Sequence, residues 1–376
     1  MWTSGHRWNH VIPVPGLNLS LTARLNGVGT PGRASVSNSL TLRSAAGYPQ
    51  PEPRVWDDSV DWRRRPAAST ESPPRQSEGL QAGLETASRV ESNQGKRPRP
   101  WIHVKRAFVI GHPINHSRSP LIHGHWLKSH RIDGSYEAID VAPADLPDFF
   151  ERVRSGEFAG GNVTIPHKEA VFALADERDP LAETIGAANT LVHRPDGVFA
   201  FNTDYLGFLG NLDQNVPGWD KGVNEVVVLG AGGSARAILV ALKSRAIPTI
   251  HLLNRTLQNA EDLAIDIGGP IRAGGLGDFA SVAPGAGLVV NCSSVGMHGS
   301  RFDSVDLNLL PKSAVVTDIV YVPLETPLLA DARAAGLRTV DGLGMLLHQA
   351  VPGFEAWFGV RPEVTPELRR LVEATL

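Results

Sequence analysis

A spaced set of hydroxyl, amide and charged side chains runs through the middle of the chain. Its first members lie in the stretch Ser117-Arg118-Ser119, directly before Pro120. Proline favours the first position of a helix, so these serines stand at a predicted helix start. Hydroxyls and free helix N–H groups there can bind an anion, and a carboxylate is the expected ligand. The alternative is that either serine only caps the helix.

The remaining members suit a hydroxylated ligand. Asn162 and Thr164 fall on one side of an extended segment, and Pro166 is predicted to end that strand and start a helix carrying Lys168. Taken singly, Lys168 is most simply a solvated lysine and Asp204 a helix cap. The whole set indicates a site for a small polyhydroxylated acid, with a Lys–Asp pair for proton transfer. It comprises Ser117, Ser119, Asn162, Thr164, Lys168, Asn189 and Asp204.

A second stretch, from Val226 to Arg255, predicts a βαβ unit that binds a dinucleotide. An apolar β-branched run is followed by Gly230-Ala231-Gly232-Gly233-Ser234-Ala235, a helix-like run and another apolar run. Gly230, Gly232 and Ala235 fit the pattern G-x-G-x-x-G/A. Such a turn points helix N–H groups at a pyrophosphate. The alternative is an ordinary tight turn.

The end of the second apolar run decides which cofactor is expected. NAD sites place an acid there for the ribose 2′-hydroxyl, whereas this chain has Asn254-Arg255-Thr256 and no acid before Glu261. A guanidinium pairs with a 2′-phosphate, so we expect NADP rather than NAD. The alternative is that Arg255 is a solvated loop residue.

Composition bounds the remaining classes. The chain has 376 residues, 42% hydrophobic and 20% charged, with a net charge of −3. These values are typical of globular protein and give no general footprint for nucleic acid. Its single cysteine, Cys292, excludes a disulfide framework within the chain and is most simply a core residue. We find no apolar run long enough for a membrane span and no convincing metal-ligand spacing, so no metal is expected.

The composition of residues 1–100 does not predict a folded domain. They are rich in Pro, Ser, Gly and Arg and carry 13 basic and 8 acidic side chains. Such a stretch buries too little apolar surface to offset its chain entropy. It is interpreted as a disordered tail or a wrongly chosen start, with a targeting segment as the alternative because the first fifty residues lack acids.

From about Val104 onward the chain resembles the shikimate dehydrogenase family. The resemblance is carried by eight separated blocks in family order: Ser117-Arg118-Ser119, Asn162 to Lys168, Gly186 to Thr190, Asn202-Thr203-Asp204, the glycine turn, Asn254-Arg255-Thr256, Tyr321 to Pro327, and Gly342 to Gln349. Residues 1–100 have no counterpart in that pattern.

The resemblance implies an α/β fold of two domains with a cleft between them. An N-terminal α/β substrate domain would comprise residues 101–207 plus 345–376, and a Rossmann-like NADP-binding domain residues 208–344. The C-terminal helix would return to the first domain and bring Gln349 to the substrate.

The activity implied is NADPH-dependent reduction of 3-dehydroshikimate to shikimate in aromatic amino acid biosynthesis. Lys168 and Asp204 would form the catalytic pair. The substrate-binding residues implied are Ser117, Ser119, Asn162, Thr164, Lys168, Asn189, Asp204, Tyr321 and Gln349. The cofactor-binding residues implied are Gly230, Ala231, Gly232, Gly233, Ser234, Ala235, Asn254, Arg255, Thr256, Ile319 and Gly342. A cytoplasmic monomer or homodimer with a small-molecule substrate is expected.

Three positions depart from the family pattern. Tyr205 stands where Gly is usual, adding bulk near the expected cleft mouth; Asn259 stands where Lys or Arg is frequent; Ile319 stands where Met is frequent. Recognition of the 2′-phosphate would therefore rest on Arg255, with Arg236 as a possible helper. The alternatives left open are an NAD-dependent quinate/shikimate dehydrogenase, a related oxidoreductase such as methylenetetrahydrofolate dehydrogenase, and a silent NADP-binding sensor.

Overall fold

Two six-stranded sheets, each packed with helices, make up the part of the chain that the computed structural model describes, residues 105–376. This arrangement confirms the predicted α/β fold class. The interpretation of residues 1–100 concerns a stretch outside the described residues. The described chain falls within one compact unit, so the division into domains at 207/208 and 344/345 stays a prediction.

The first sheet is mixed. Its strands are β1 (Lys105–Gly111), β2 (Gly134–Asp140), β3 (Gly160–Val163), β4 (Glu177–Arg178), β5 (Thr190–Arg194) and β6 (Gly197–Phe201). Its helices are α1 (Ser119–Ser129), α2 (Leu146–Arg154), α3 (Lys168–Leu174) and α4 (Pro180–Ile185). The strand order is β2-β1-β3-β5-β6-β4, with β5 antiparallel to both neighbours and every other pair parallel.

The second sheet is entirely parallel. It follows α5 (Asp204–Asn215) and contains β7 (Glu225–Leu229), α6 (Gly233–Ser244), β8 (Thr249–Asn254), α7 (Leu257–Ile267), β9 (Ile271–Gly275), α8 (Phe279–Val282), β10 (Ala286–Asn291), β11 (Val315–Asp318), α9 (Pro327–Ala334) and β12 (Arg338–Val340). The order β12-β11-β10-β7-β8-β9 reverses direction between β7 and β10. Dinucleotide-binding sheets have this order and bind their ligand at that reversal.

The last two helices return to the first sheet. They are α10 (Leu343–Phe358) and α11 (Pro366–Glu373). Leu347, Phe354 and Trp357 of α10 are buried in one apolar cluster with Trp126 of α1. By contrast, the buried side chains of α5 belong to the cluster of α6 and the second sheet. Because α5 and α10 pack on each other, they join the two halves, and the predicted return of the C-terminal helix is confirmed.

Glycines let α5 and α10 approach closely. A Cβ at Gly207 would lie 2.6 Å from the Met345 carbonyl oxygen and 2.7 Å from Gln349 Cβ. A Cβ at Gly344 would lie 1.8 Å from Asn211 Oδ1. At Gly207 the α10 backbone itself occupies the space that a side chain would need, whereas at Gly344 the Asn211 side chain of α5 fills it.

One local prediction needs correction. Pro166 does not start the helix that carries Lys168; β3 ends at Val163, and α3 begins at Lys168 itself. Pro166 lies in the intervening turn, where the His167 N–H donates to the Thr164 carbonyl. Proline disfavours helical backbone in the residue before it, which keeps Ile165 out of a helix. Lys168 consequently projects from the first position of α3.

Candidate active site

Lys168 and Asp204 meet at the starts of two helices. Lys168 is the first residue of α3 and Asp204 the first residue of α5, and the Lys168 ammonium donates to Asp204 Oδ2 at 2.6 Å. Their side chains are 30% and 16% exposed, so the pair is partly sheltered yet open to a ligand. Asp204 does not act as the cap of α5, which is Thr203. This geometry suits a cation that is held by a carboxylate and can donate a proton.

Asn189 supports the pair from the loop before β5. Its amide N–H donates to Asp204 Oδ1 at 2.8 Å, and the Ala188 N–H donates to the Lys168 carbonyl at 3.0 Å. Gln349, on α10, places its Oε1 3.5 Å from the Asn189 amide nitrogen. Residues separated by 160 positions are thus brought together by the returning helix.

Asn162, at the end of β3, lies in the same polar group. It is 5% exposed; Oδ1 accepts from the Tyr136 hydroxyl at 2.7 Å, and the amide nitrogen is 3.3 Å from Thr190 Oγ1. Thr164 follows on the same strand extension and is partly exposed, with no side-chain hydrogen bond among the described residues. Its hydroxyl is free to bind a ligand.

The predicted anion site is built at the start of α1. Ser119 is 6% exposed, and its N–H donates to Ser117 Oγ at 3.3 Å. The helix has no side-chain cap: Arg118 holds the cap position. Neither serine is therefore used as a conventional cap, although the Ser119 side chain interacts with the Tyr136 hydroxyl. The Arg118 guanidinium donates to the Thr375 carbonyl, near the C-terminus.

The glycine turn after β7 leaves open space before α6. Gly230 has a φ of +103°, and a Cβ there would lie 2.9 Å from Ser293 Cβ, so only glycine fits. A Cβ at Gly232 or Gly233 would meet nothing within 4 Å. The Ala231 N–H donates to Asn254 Oδ1 at 3.3 Å, which ties the turn to the end of β8. No side chain caps α6, so Ser234 and its neighbours keep donors for a pyrophosphate.

A cation suited to a 2′-phosphate stands beside this turn. Arg255, next to Thr256 at the end of β8, is exposed and makes no hydrogen bond or ion pair within residues 105–376. The Arg236 guanidinium is 2.6 Å from Asp266 Oδ2 in a partly exposed ion pair, so its helper role stays a prediction. The residues present therefore fit NADP, and the role of Arg255 at its extra phosphate stays a prediction.

A buried network shapes the loop after β11. Asp318 is fully buried; it accepts from Asn291 Nδ2 at 2.9 Å and from Thr326 Oγ1 at 2.7 Å. Burial raises its pKa, and these hydrogen bonds oppose the rise. The loop carries Ile319 and Tyr321.

Two contacts place this loop against α10 and the first half of the molecule. Gly342 lies against it, since a Cβ there would be 2.5 Å from the Ile319 carbonyl oxygen. Tyr321 packs against the cluster of α1 and α10. Burial raises the pKa of Tyr321, while Arg118 nearby opposes the rise.

Two residues noted in the sequence lie in apolar surroundings. Tyr205 is partly buried against the cluster of α5 and α6, and burial raises its pKa. Cys292 is buried at the end of β10, and burial likewise raises its pKa. Over residues 105–376 we find no cluster of acidic, histidine or cysteine side chains suited to a metal ion. No helix in that range could span a bilayer.

Sequence patterns missed Tyr136, Thr190 and Thr203, which complete the polar group. The Thr203 N–H donates to Asn189 Oδ1 at 2.8 Å, and Thr190 Oγ1 is 2.9 Å from the same oxygen. Thr190 and Thr203 follow Asn189 and Asn202 directly, so their proximity to the predicted set was an available signal. The position of Tyr136 on β2 depends on strand pairing and gave no such signal.

Comparison with known proteins identifies relatives over the described region. Residues 109–191 match the family model "Shikimate dehydrogenase substrate binding domain", and residues 342–366 match "Shikimate 5'-dehydrogenase C-terminal domain". The chain is similar to the shikimate dehydrogenase (NADP(+)) of Mesorhizobium japonicum, with 57% identity over 272 residues, covering 72% of this chain and 97% of the relative.

Solved structures of shikimate and quinate dehydrogenases are also similar to this chain. One is shikimate 5-dehydrogenase from Thermus thermophilus in complex with NADP(H) and shikimate: TM-score 0.64, 36% identity, 73% of this chain and 100% of that chain. Another is quinate dehydrogenase from Corynebacterium glutamicum in complex with NAD: TM-score 0.66, 30% identity, 73% of this chain and 99% of that chain.

Proposed function

The chain belongs to the shikimate dehydrogenase family, and on this premise we propose that it catalyses the reversible, NADPH-dependent reduction of 3-dehydroshikimate to shikimate in aromatic amino acid biosynthesis. The observation that carries the proposal is the Lys168–Asp204 pair, 2.6 Å apart and partly open. A relative that is 57% identical and carries the name shikimate dehydrogenase (NADP(+)) supports the substrate and the cofactor.

The reaction needs a hydride and a proton at the carbonyl group. Bound NADPH supplies the hydride to the carbonyl carbon. As negative charge grows on the carbonyl oxygen, the Lys168 ammonium stabilises it and gives up a proton to form the hydroxyl. Asp204 holds the ammonium in place through Oδ2 and is itself held by Asn189 through Oδ1. In the oxidation direction, Lys168 must first lose a proton before it can accept one.

The substrate is bound by groups around this pair. Ser117 and Ser119 bind the carboxylate at the start of α1, where no anionic side chain competes. The residues that bind ring hydroxyls or orient the ring are Asn162, Thr164, Asn189, Asp204, Tyr321 and Gln349. All of these side chains are polar; most lie at a strand end or helix start, whereas Tyr321 lies in the loop after β11 and Gln349 within α10.

The cofactor is bound along the carboxyl edge of the second sheet. The turn from Gly230 to Ala235 receives the pyrophosphate, and Arg255, with Asn254 and Thr256, receives the adenosine end and its 2′-phosphate. Ile319 and Gly342, which lie against each other, would be next to the nicotinamide when the cofactor is bound. The open space at Gly232 and the unpaired Arg255 guanidinium support this assignment.

A two-by-two assay tests the proposal and separates it from the quinate alternative. Shikimate and quinate are each offered with NADP and with NAD, and reduced nicotinamide is followed by absorbance. We expect the largest kcat/KM for shikimate with NADP. A preference for quinate with NAD would overturn the assignment, and no turnover with any pair would point to a binding module.

We further propose that the enzyme works in the cytoplasm as a monomer or homodimer. A single buried cysteine and a biosynthetic role suit a reducing compartment. Size-exclusion chromatography with light scattering distinguishes the two oligomeric states, and a tetramer would contradict both.

A further inference from the structure

Hydrogen bonds link Tyr136 to the Lys168–Asp204 pair through three intermediate side chains. The contacts run from Tyr136 to Asn162 at 2.7 Å, from Asn162 to Thr190 at 3.3 Å, from Thr190 to Asn189 at 2.9 Å and from Asn189 to Asp204 at 2.8 Å. We call these five side chains the polar chain. Asn162, Asn189 and Thr190 are each at most 5% exposed, so water has little access to its centre.

Backbone groups fix the direction of every donor in the polar chain. The Thr203 N–H can only donate, and it points at Asn189 Oδ1 at 2.8 Å. Asn189 therefore turns its amide N–H toward Asp204. The Asn189 carbonyl can only accept, and it lies 3.3 Å from Asn162 Nδ2. Asn162 therefore turns its oxygen toward Tyr136, whose hydroxyl must donate.

Thr190 is the middle link of the polar chain, and its neighbours indicate the direction in which its hydroxyl donates. Its hydroxyl stands between Asn162 Nδ2, which can only donate, and Asn189 Oδ1, which can only accept. Two acceptors face the hydroxyl proton, Asn189 Oδ1 at 2.9 Å and Thr203 Oγ1 at 3.4 Å, and the shorter contact assigns the proton to Asn189. Every donor in the polar chain then points toward Asp204, and Lys168 donates to the other carboxylate oxygen.

The far end of the polar chain is clamped in aromatic packing. The Tyr136 ring stacks on His123, with centroids 4.0 Å apart and planes inclined by 16°. His123 is fully buried, and its ring nitrogens have no hydrogen-bond partner anywhere in residues 105–376. Burial lowers its pKa to about 3, so a neutral ring faces Tyr136 at physiological pH. The neutral ring fixes Tyr136 by stacking, and the Ser119 side chain at the start of α1 is a second partner of the Tyr136 hydroxyl.

We propose that Thr190 and Tyr136 are positioning residues of the active site, which hold the Asn162 and Asn189 side chains in place once backbone groups have set their amide orientations. Neither is assigned to touch the substrate. Their effect reaches the reacting atoms through Asp204 and Lys168, so the inference rests on the proposed function.

Substitutions at Thr190 test the middle of the polar chain. Thr190→Val keeps the shape but leaves Asn162 and Asn189 each short of a partner, and we expect kcat for shikimate oxidation to fall roughly tenfold, which corresponds to about 1.4 kcal/mol. Thr190→Ser should restore most of the loss. Thr249→Val is the matched control, a strand threonine at the opposite end of β8 from Asn254, and it should leave kcat unchanged.

A double-mutant cycle distinguishes a connected chain from two separate structural defects. Tyr136→Phe keeps the ring and removes the terminal donor, so it is measured alone and together with Thr190→Val. If both act through one path, the double variant should lose little more than the worse single variant. Multiplying losses, full kcat in Thr190→Val, or no rescue by serine would overturn the proposal.

The assay also separates this inference from the proposed function. If the unaltered enzyme fails to oxidise shikimate with NADP, the proposed function falls first. If the unaltered enzyme is active and the variants behave like it, only the positioning role falls. Thermal melting of each variant shows whether a loss comes from unfolding; Tyr136→Phe supplies the decisive result if Thr190→Val does not fold.

Discussion

Lys168 is the residue on which the proposed chemistry depends most directly. It acts on charge that develops in the transition state, so Lys168→Ala should lower kcat by about 10²–10⁴-fold and leave shikimate binding largely intact. Steady-state kinetics with shikimate and NADP measure both quantities. Lys128→Ala serves as control, because Lys128 is exposed on α1 and forms no ion pair within the described chain. An almost unchanged kcat in Lys168→Ala would rule out Lys168 as the proton donor.

Arg255 should set cofactor choice. A charge-assisted hydrogen bond is worth roughly 1.5–3 kcal/mol, so Arg255→Ala should raise KM for NADP about ten- to 150-fold. KM for NAD is the internal control and should hardly change, because NAD lacks the 2′-phosphate. Asn259→Arg, at an exposed position in the first turn of α7, should lower KM for NADP by adding a second cation. Steady-state kinetics at fixed ionic strength measure both KM values. An equal rise in KM for NADP and NAD would show that Arg255 supports the fold or contacts the adenine instead of the 2′-phosphate.

His123 should make the protein sensitive to acid. Burial lowers its pKa from 6.5 to about 3. Between these two pH values the His123 ring is protonated in the unfolded chain and neutral in the folded chain. The titration of His123 does not affect the free energy of unfolding above pH 6.5. As the pH falls from 6.5 toward 3, it lowers the free energy of unfolding by about 1.4 kcal/mol per pH unit. His123→Phe keeps the stacking and removes the titration. Denaturant unfolding at pH 7, 6, 5 and 4 should show the variant losing less stability than the unaltered protein. If the free energy of unfolding fell equally with pH in both proteins, His123 would not be the group responsible.

At the scale of helices, the contact between α5 and α10 tolerates no added atom. Gly207→Ala would place a Cβ 2.6 Å from the Met345 carbonyl oxygen and 2.7 Å from Gln349 Cβ. We expect a loss of about 1–3 kcal/mol in stability and a lower kcat, since α10 must shift and carry Gln349 with it. Thermal melting and steady-state kinetics give the two readouts.

Gly124→Ala is the matched control for that change. Gly124 also lies inside a helix, α1, but a Cβ there would meet nothing within 4 Å. Alanine is about 1 kcal/mol better than glycine in a helix interior, so this variant should melt at the same or a higher temperature. If both variants behave alike, close packing of α5 on α10 is not what the glycine at 207 serves.

The elements differed in how far their sequences revealed them. The parallel strands of the second sheet are short apolar runs bounded by turns, and β7 and β8 coincide with the two runs that predict the βαβ unit. The mixed first sheet was harder, because the antiparallel pairing that sets Thr190 opposite Asn162 depends on contacts distant in sequence. Motif spacing found Lys168, Asp204 and Asn189. It could not find Tyr136, whose link to Asn162 exists only once β2 and β3 flank β1.

Over the whole molecule, the described region should suffice for folding and activity. Residues 105–376 contain both sheets and every predicted site residue, and the match to the Mesorhizobium japonicum relative covers 97% of that protein. A protein beginning at Trp101 should therefore keep the kcat and melting temperature of the full chain. The two proteins are compared side by side in the same buffer. Loss of folding in the shorter protein would show that the first hundred residues pack against the rest.

The close contact between α5 and α10 at Gly207 also limits how these two helices can move. Sliding of one helix past the other would drive α10 atoms into the Gly207 backbone, so the contact resists that motion. Asp204 lies on α5 and Gln349 on α10, so the same contact sets the separation of these two proposed substrate-binding residues.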